Sequence, residues 1–387
     1  MVQAAFLLLV LGGVFVAGAD CEHWCPLGGV EALATYLQEG DMLCSLGASN
    51  FFMLGGVLLL TLLVRRAFCS YVCPIGTLSE WLHRLGRRLR LPVVRVPARV
   101  DRMLSGAKYM LLAVILYLTW RAGELIFRGF DPCYALISRH GADITWWAYA
   151  VAAAIGLASL VLSLPFCRWF CPLAAVLNPF SRFGWARVQR DGAACRDCGA
   201  CVRRCPMAIP VDRGEQVTAA RCIACLECVA GCAGTRTASL AWGPPRGWGR
   251  RWPQAVLVGL VLVCTSSAVA ASYLFPLPSF VKVRGTRPGT VAEVKLRVTG
   301  VTCRGSANLL AYFLHRDDLD EVPGYLRIAA WPGANAAAVH VTYDPAVVVP
   351  EQIKRALVEP YYDALGDRWR LPPFTIEGYD PLDAADK

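Results

Sequence analysis

Residues 195–206 read CRDCGACVRRCP and residues 222–232 read CIACLECVAGC. The first run holds Cys195, Cys198, Cys201 and Cys205, then Pro206. The second holds Cys222, Cys225, Cys228 and Cys232 at the same spacing. Cysteines grouped at fixed spacing point to metal or cluster binding. Thiolates are soft, charge-balancing donors suited to that task. Two residues between ligands leave too little chain for a helix, so the segment is expected to be loops with short flanking elements. Gly199 and Ala200 are small enough for a loop to wrap a bound group and aim amides at it. Zinc in two knuckles is the competing reading.

Outside these runs the chain repeats a second cysteine pattern. FCSYVCPIG fills 68–76, FCRWFCPLA fills 166–174 and DCEHWCPLG fills 20–28, each a Cys-x3-Cys-Pro after an apolar run. Cysteines four apart share one face of a helix, and the proline limits its continuation. Cys69 with Cys73, and Cys167 with Cys171, are therefore expected as pairs at the mouths of two helices. If those helices are neighbours, the four thiols converge to hold metal, form redox-active disulfides or contact a quinone headgroup. The plain alternative is small residues packed at crowded helix ends.

The 387 residues are 56% hydrophobic with mean hydropathy +0.43, which favours a membrane class over a soluble globule. Eighteen cysteines in separated groups do not suit a small secreted disulfide scaffold. The net charge of +10 sits in a few loops beside apolar segments, which fits membrane orientation rather than nucleic-acid binding. Five apolar segments are expected to span, at about 3–19, 47–64, 106–120, 146–164 and 254–275. Ala17 and Ala19 suit a signal-peptidase site, but MVQ has no basic residue, so cleavage stays open. Arg65, Arg66 and the arginines from Arg84 to Arg102 place 65–105 on the cytoplasmic side, and alternation places 165–253 there too. Residues 20–46, 121–145 and those after 276 then face out. Outside lie Cys21, Cys25, Cys44 and Cys133, with His23 and His140 nearby, as two disulfides or as an outer metal or cluster site. Cys264 is expected to be a packing residue.

The Cys-x2-Cys-x2-Cys-x3-Cys-Pro run resembles bacterial ferredoxins. In two-cluster ferredoxins the fourth cysteine of each run ligates the other cluster. The resemblance implies one [4Fe-4S] cluster on Cys195, Cys198, Cys201 and Cys232, and another on Cys222, Cys225, Cys228 and Cys205. Ala233 stands where a proline normally follows the last cysteine. Helices, FCSYVCPIG, helices, FCRWFCPLA and two ferredoxin runs, in that order, resemble the NapH/NosR-type membrane ferredoxins and the FixG-type assembly proteins, over about residues 45–240. This implies four core helices, cytoplasmic clusters and electron transfer between quinone or a cytoplasmic donor and an outer partner. A fifth helix, the outer cysteines and the C-terminal domain depart from that pattern. No histidine falls mid-span, so haem inside the bundle has little support, and quinone or a haem-bearing partner has to bridge the roughly 30 Å core.

Residues 276–290, PLPSFVKVRGTRPGT, read as a Pro/Gly linker. Beyond it, EVKLRVTG (293–300), YLRIAAW (325–331), AAVHVTYD (337–344) and FTIEGYD (374–380) read as strands. RGSANLLAYFLHR (304–316) and PEQIKRALVEPYY (350–362) read as helices, giving a βαββαβ sandwich. VTGVTCRGSA at 298–307 resembles the first loop of heavy-metal-associated domains, which carry Cys-x-x-Cys. Here Cys303 is kept and Ser306 takes the second place.

The expected fold class is thus a polytopic α-helical membrane protein with an inserted 2[4Fe-4S] ferredoxin domain and a C-terminal α+β ferredoxin-like domain. Its parts are 1–180, 185–240, 252–276 and 290–380. The expected function is membrane-bound electron transfer to an extracytoplasmic metal, thiol or protein in a bacterial cytoplasmic membrane. The alternative is a metal-handling assembly factor for a respiratory metalloenzyme. Expected cofactors are two [4Fe-4S] clusters, with quinone and a further cluster or soft metal ion left open. Expected partners are the membrane and a respiratory or redox protein, not nucleic acid. No catalytic triad, Walker loop or dinucleotide fingerprint is evident.

Overall fold

The computed structural model describes residues 2–16, 24–39, 48–122, 126–138, 144–233, 239–245, 251–275, 278, 280–284, 290–302, 304–315, 322, 325–331, 336–363 and 368–380. The chain falls into two compact units, Met1–Glu31 with Ser49–Leu274, and Ala32–Ala48 with Phe275–Lys387.

The helices up to the cysteine loops are α1 (Val2–Phe15), α2 (Pro26–Glu39), α3 (Ala48–Val64), α4 (Ala67–Tyr71), α5 (Pro74–Arg88), α6 (Ala98–Ala122), α7 (Pro132–Ile137), α8 (Trp146–Val161), α9 (Pro165–Trp169) and α10 (Pro172–Arg182). Then come β1 (Arg187–Arg190), α11 (Ala200–Arg204), α12 (Glu227–Ala233), β2 (Leu240–Gly243) and α13 (Gln254–Leu274). Among the described residues, α6 over Ala98–Arg121 and α13 are long and apolar enough to cross a membrane. The segments expected to span near 3–19, 47–64 and 146–164 form the shorter apolar helices α1, α3 and α8. Helix α6 begins at Ala98, before the apolar run, because its first turns carry Asp101 and Lys108 into buried contacts.

The paired-thiol motifs build the same local unit twice. An apolar helix (α3 or α8) ends, a five-residue helix follows (α4 or α9), and a longer helix starts at the proline (α5 or α10). Pro74 and Pro172 sit in the first turn, where no backbone N–H is needed and the fixed φ suits a helix. Helix α5 packs on α8 at Ser79 and Ser159, whose hydroxyls are 2.7 Å apart. Gly86 meets Leu160 there so closely that a Cβ would lie 2.0 Å from the Leu160 carbonyl oxygen. The chain after α10 returns along the end of α3, where Trp185 and Ala186 N–H donate to the Leu62 and Leu63 carbonyls, both at 2.8 Å.

The cysteine loops carry little regular structure. Strands β1 and β2 pair antiparallel, with Arg187 opposite Gly243 and Arg190 opposite Leu240. Val188, Met207, Ile209, Val211, Val217 and Ile223 bury beneath them and share one core with Leu60, Val64 and Phe68 of the helical part.

The second unit has β3 (Phe280–Val283), β4 (Ala292–Thr299), α14 (Arg304–Phe313), β5 (Tyr325–Trp331), β6 (Ala337–Tyr343), α15 (Pro350–Val358), β7 (Tyr361–Asp363), β8 (Arg368–Arg370) and β9 (Thr375–Ile376). One sheet has the order β3-β5-β6-β4-β9, and β7 pairs with β8. Its core holds Leu296, Val298, Leu310, Ile328, Val339, Val341, Ile353 and Leu357, the inward positions of alternating strands and amphipathic helices. Strand β3 corrects the linker expected at 276–290. Phe280–Val283 pairs with β5, and Phe280 is 1% exposed, so this apolar stretch serves as an edge strand.

Candidate metal centre

The eight cysteines of the two runs line two cavities. One is lined by Cys195, Cys198, Cys201 and Cys232, with Arg190, Asp212 and Ser239 beside them. The other is lined by Cys205, Cys222, Cys225 and Cys228 among Val188, Met207, Ile209 and Ile223. Each cavity thus takes three cysteines from one run and the last cysteine of the other. Cys198 is exposed, whereas Cys228 and Cys232 are buried.

The backbone between the cysteines is bent in a way that suits an enclosed anion. Asp197 (φ 48) and Gly199 (φ 65) flank Cys198, and Ala224 (φ 50) and Leu226 (φ 59) flank Cys225. A left-handed non-glycine residue costs on the order of 1–3 kcal/mol and persists where the surroundings over-determine it. Left-handed residues alternating with right-handed ones make a concave nest of N–H groups. Ile209 N–H donates to Cys205 Sγ at 3.4 Å, and Ser239 Oγ lies 3.2 Å from Cys232 Sγ. Burial pushes the Cys205 and Cys225 thiols up, so they keep their protons until a metal displaces them. Among the described residues no three His, Cys, Asp or Glu side chains come close enough to hold a single ion. Sulfur donors ringed around a cavity fit a multi-iron cluster better than a lone zinc ion.

Cys69, Cys73, Cys167 and Cys171 also come together. Each interacts electrostatically with the other three. Cys69 and Cys167 are buried, and Cys73 and Cys171 are half-buried. The thiol of Cys73 accepts from the N–H groups of Gly76 and Ile75, and that of Cys171 from Ala174, at the starts of α5 and α10. Cys25 follows the same design, accepting from Gly28 and Leu27 at the start of α2. Cys133 lies in α7, where its N–H donates to Asp131 Oδ1 at 3.0 Å. Cys264 is buried in the core against α13's neighbours. Cys21, Cys44, Cys303, His23 and His140 lie outside the described residues.

Several residues around these sites gave no sign of their role in the sequence. Arg65 and Arg66 read as orientation charges at a helix end, yet they are 1% and 0% exposed. Arg65 donates from Nη2 to the Val217 carbonyl at 2.5 Å and from Nη1 to that of Ala219 at 3.1 Å, gripping the cysteine loops. Arg66 donates to Asn178 Oδ1 at 3.0 Å, and its Nη2 lies 3.7 Å from Cys69 Sγ. Asp101 is a second buried hub. It accepts from Arg168 at 2.5 Å, from Trp169 Nε1 at 2.9 Å and from Arg221. The one available sign was position, because arginine sits directly before a Cys-x3-Cys-Pro run and within one.

A polar cavity of about 260 Å3 opens beside the second cysteine set, lined by Gln3, Ser70, Tyr71, Glu80, Arg84, Cys225, Glu227 and Gln254. Gln3 donates to Glu80 at 2.6 Å, and Arg84 bridges Glu80 at 2.5 Å and Glu227 at 3.3 Å. The Gln254 amide donates to the Tyr71 hydroxyl at 3.3 Å. Burial pushes the Tyr71 phenol up to about 12.

The 4Fe-4S binding domain family matches this chain twice, at residues 46–92 and 144–189, and the 4Fe-4S dicluster domain family matches residues 187–233. YccM of Escherichia coli is 33% identical over 230 residues, covering 57% of this chain and 63% of YccM. The regulatory protein NosR of Pseudomonas aeruginosa is 34% identical over 170 residues, covering 42% of this chain and 23% of NosR. The ferredoxin-type protein NapH of Haemophilus influenzae is 27% identical over 219 residues, covering 54% of this chain and 71% of NapH. The chain thus spans less than two thirds of YccM and of NosR. No solved structure matches it. Duplicated paired-thiol units, crossed cysteine cavities and these relatives agree: the chain belongs to the NapH/NosR-type ferredoxin family.

Proposed function

We propose that this chain is a membrane-bound electron carrier. In this reading Cys195, Cys198, Cys201 and Cys232 hold one [4Fe-4S] cluster, and Cys205, Cys222, Cys225 and Cys228 hold another. The observation that carries it is the pair of cysteine-lined cavities with exchanged fourth ligands. Clusters held there supply one-electron relays. Cys201 and Cys228 are within electrostatic reach of each other, so the two cavities are adjacent. Arg190 lies against Cys195 and Asp197, a cation beside the more exposed set. The five apolar helices α1, α3, α6, α8 and α13 would anchor the chain in the bacterial cytoplasmic membrane.

The polar cavity beside Cys225 supports a quinone headgroup as the donor. Tyr71 and Gln254 offer donors, and Glu80 offers a proton acceptor within the same walls. The acceptor in this reading is a metal, thiol or protein outside the membrane. The second unit would serve it as a domain of heavy-metal-associated type through Cys303. There Ser306 Oγ accepts from Thr302 N–H at 2.9 Å, so the residue replacing the second cysteine shapes the loop.

The test is low-temperature EPR on anaerobically purified full-length chain before and after dithionite, with iron and sulfide content. At least about eight irons and coupled reduced-cluster signals are expected. Zinc in place of iron would overturn the reading. For the donor, Tyr71→Phe should slow reduction by a quinol analogue and leave reduction by dithionite unchanged. Equal slowing by both routes would remove the quinone assignment.

A further inference from the structure

We propose that Cys69, Cys73, Cys167 and Cys171 are the ligands of a third iron–sulfur cluster, with Arg66 as its buried counter-cation and its link to the Cys222 set. The proposal rests on reading the chain as an iron–sulfur protein and extends it to four cysteines outside the two ferredoxin runs.

The first argument is mutual reach. Every pair among the four inner thiols interacts electrostatically. The same holds for every pair among Cys205, Cys222, Cys225 and Cys228, which line a cavity. Neither set is tight enough to hold a single ion. Four thiolates at that reach are the ligand complement of an iron–sulfur cluster.

The second argument is charge. Arg66 is fully buried, its Nε has no hydrogen-bond partner, and no carboxylate pairs with it among the described residues. Its charge-bearing neighbours are Cys69, Cys167 and Cys171, with Nη2 3.7 Å from Cys69 Sγ. A buried, always-protonated guanidinium without an anion is strongly unfavourable. Neutral thiols do not answer that charge, nor do disulfides. A cluster bound by four thiolates is an anion and does. The helix starts act in the same sense, because α5 and α10 turn their first N–H groups onto Cys73 and Cys171. Gly76 keeps that approach close, since a Cβ there would lie 2.2 Å from the Cys69 carbonyl oxygen.

The third argument is connection. Arg66 N–H donates to the Cys222 carbonyl at 3.4 Å. One residue therefore touches Cys69 through its side chain and Cys222 through its backbone. The step this permits is a single electron. The cluster on the Cys222 set is oxidised by one electron and the third is reduced by one, with no bond made or broken, and the reverse balances equally.

The experiment counts iron and acid-labile sulfide in anaerobically purified full-length protein. About twelve irons per chain support a third four-iron cluster, and about ten a third cluster of two irons. About eight irons overturn this proposal and leave the two-cluster reading standing, whereas zinc overturns both. Cys69→Ser with Cys167→Ser should lose only the iron above eight, with the ferredoxin signals unmoved. If that variant does not accumulate, Arg66→Gln tests the same site with all thiols in place. At fixed potential the reduced-to-oxidised ratio of the third signal should fall about tenfold, about 59 mV for one electron. An unshifted signal would remove Arg66 from the assignment.

Discussion

The two copies of the paired-thiol unit have nearly the same turn and different grips. Cys73 has φ −64 and ψ 119, and Cys171 has φ −65 and ψ 116. Cys73 N–H donates to the Phe68 carbonyl at 3.0 Å, and Cys171 N–H to that of Phe166 at 2.9 Å. What precedes them differs. The first copy enters through Arg65 and Arg66, the second through Leu164 and Pro165. Arg65 and Leu164 both take left-handed backbone, φ 66 and φ 47, so the bend is shared and the side chains are not. The first copy uses its arginines to grip the cysteine loops. The second uses Arg168 and Trp169 to grip Asp101 of α6. The Cys-Pro turn is a local device and survives duplication. The cations decide which neighbour each copy serves.

The second copy's grip is where the largest effect on stability is expected. Asp101 faces Arg168, whose side chain is 5% exposed, and also holds Arg221 and Trp169. Asp101→Ala leaves a buried guanidinium without its anion, which should cost about 3–5 kcal/mol. Thermal unfolding of the detergent-solubilised chain measures it. A loss below about 1 kcal/mol would mean that the grip of the second copy is replaceable.

A matched pair of glycines sharpens the comparison of packing. Gly86 lies in α5 of the first copy and Gly156 in α8 of the second. A Cβ at Gly86 would strike the Leu160 carbonyl at 2.0 Å, whereas at Gly156 its nearest neighbour is Leu82 Cδ1 at 3.7 Å. Gly86→Ala should cost about 1–3 kcal/mol, because a backbone atom has to move. Gly156→Ala should be neutral or gain about 0.5–1 kcal/mol from helix propensity. Equal effects in the two would show that the α5–α8 crossing relaxes without resistance.

Legibility in the sequence followed the range of the interaction. Spacing alone placed the cysteine loops and their exchanged fourth ligands, because all eight lie within 195–232. Alternation placed YLRIAAW as a strand at the bounds of β5. Strand β3 was hidden in a Pro/Gly-rich stretch, because its partner β5 is far along the chain. Arg65, Arg66 and Asp101 were hidden for the same reason. A charge beside an apolar helix reads as surface until the fold brings Val217, Asn178 or Arg221 to it. Helix α5 was the intermediate case, since its proline start was legible and its burial against α8 was not.

The smallest expected effect is a titration at the contact between the copies. His83 of α5 hydrogen-bonds the backbone of Ser159 in α8, and burial holds its pKa below the usual 6.5. Arg87 lowers it further, and Glu80 raises it. The unfolded chain therefore takes up this proton at higher pH than the folded one does. The associated stability is full above pH 6.5 and is lost as pH falls from there through the lower folded pKa. Partial exposure of the ring keeps the effect below about 1 kcal/mol. His83→Gln should flatten this part of the curve of unfolding midpoint against pH between about 7 and 5. Should the slope persist unchanged, another group carries it, and the α5–α8 contact is then held by Ser79, Ser159 and the Gly86 approach without a titrating member.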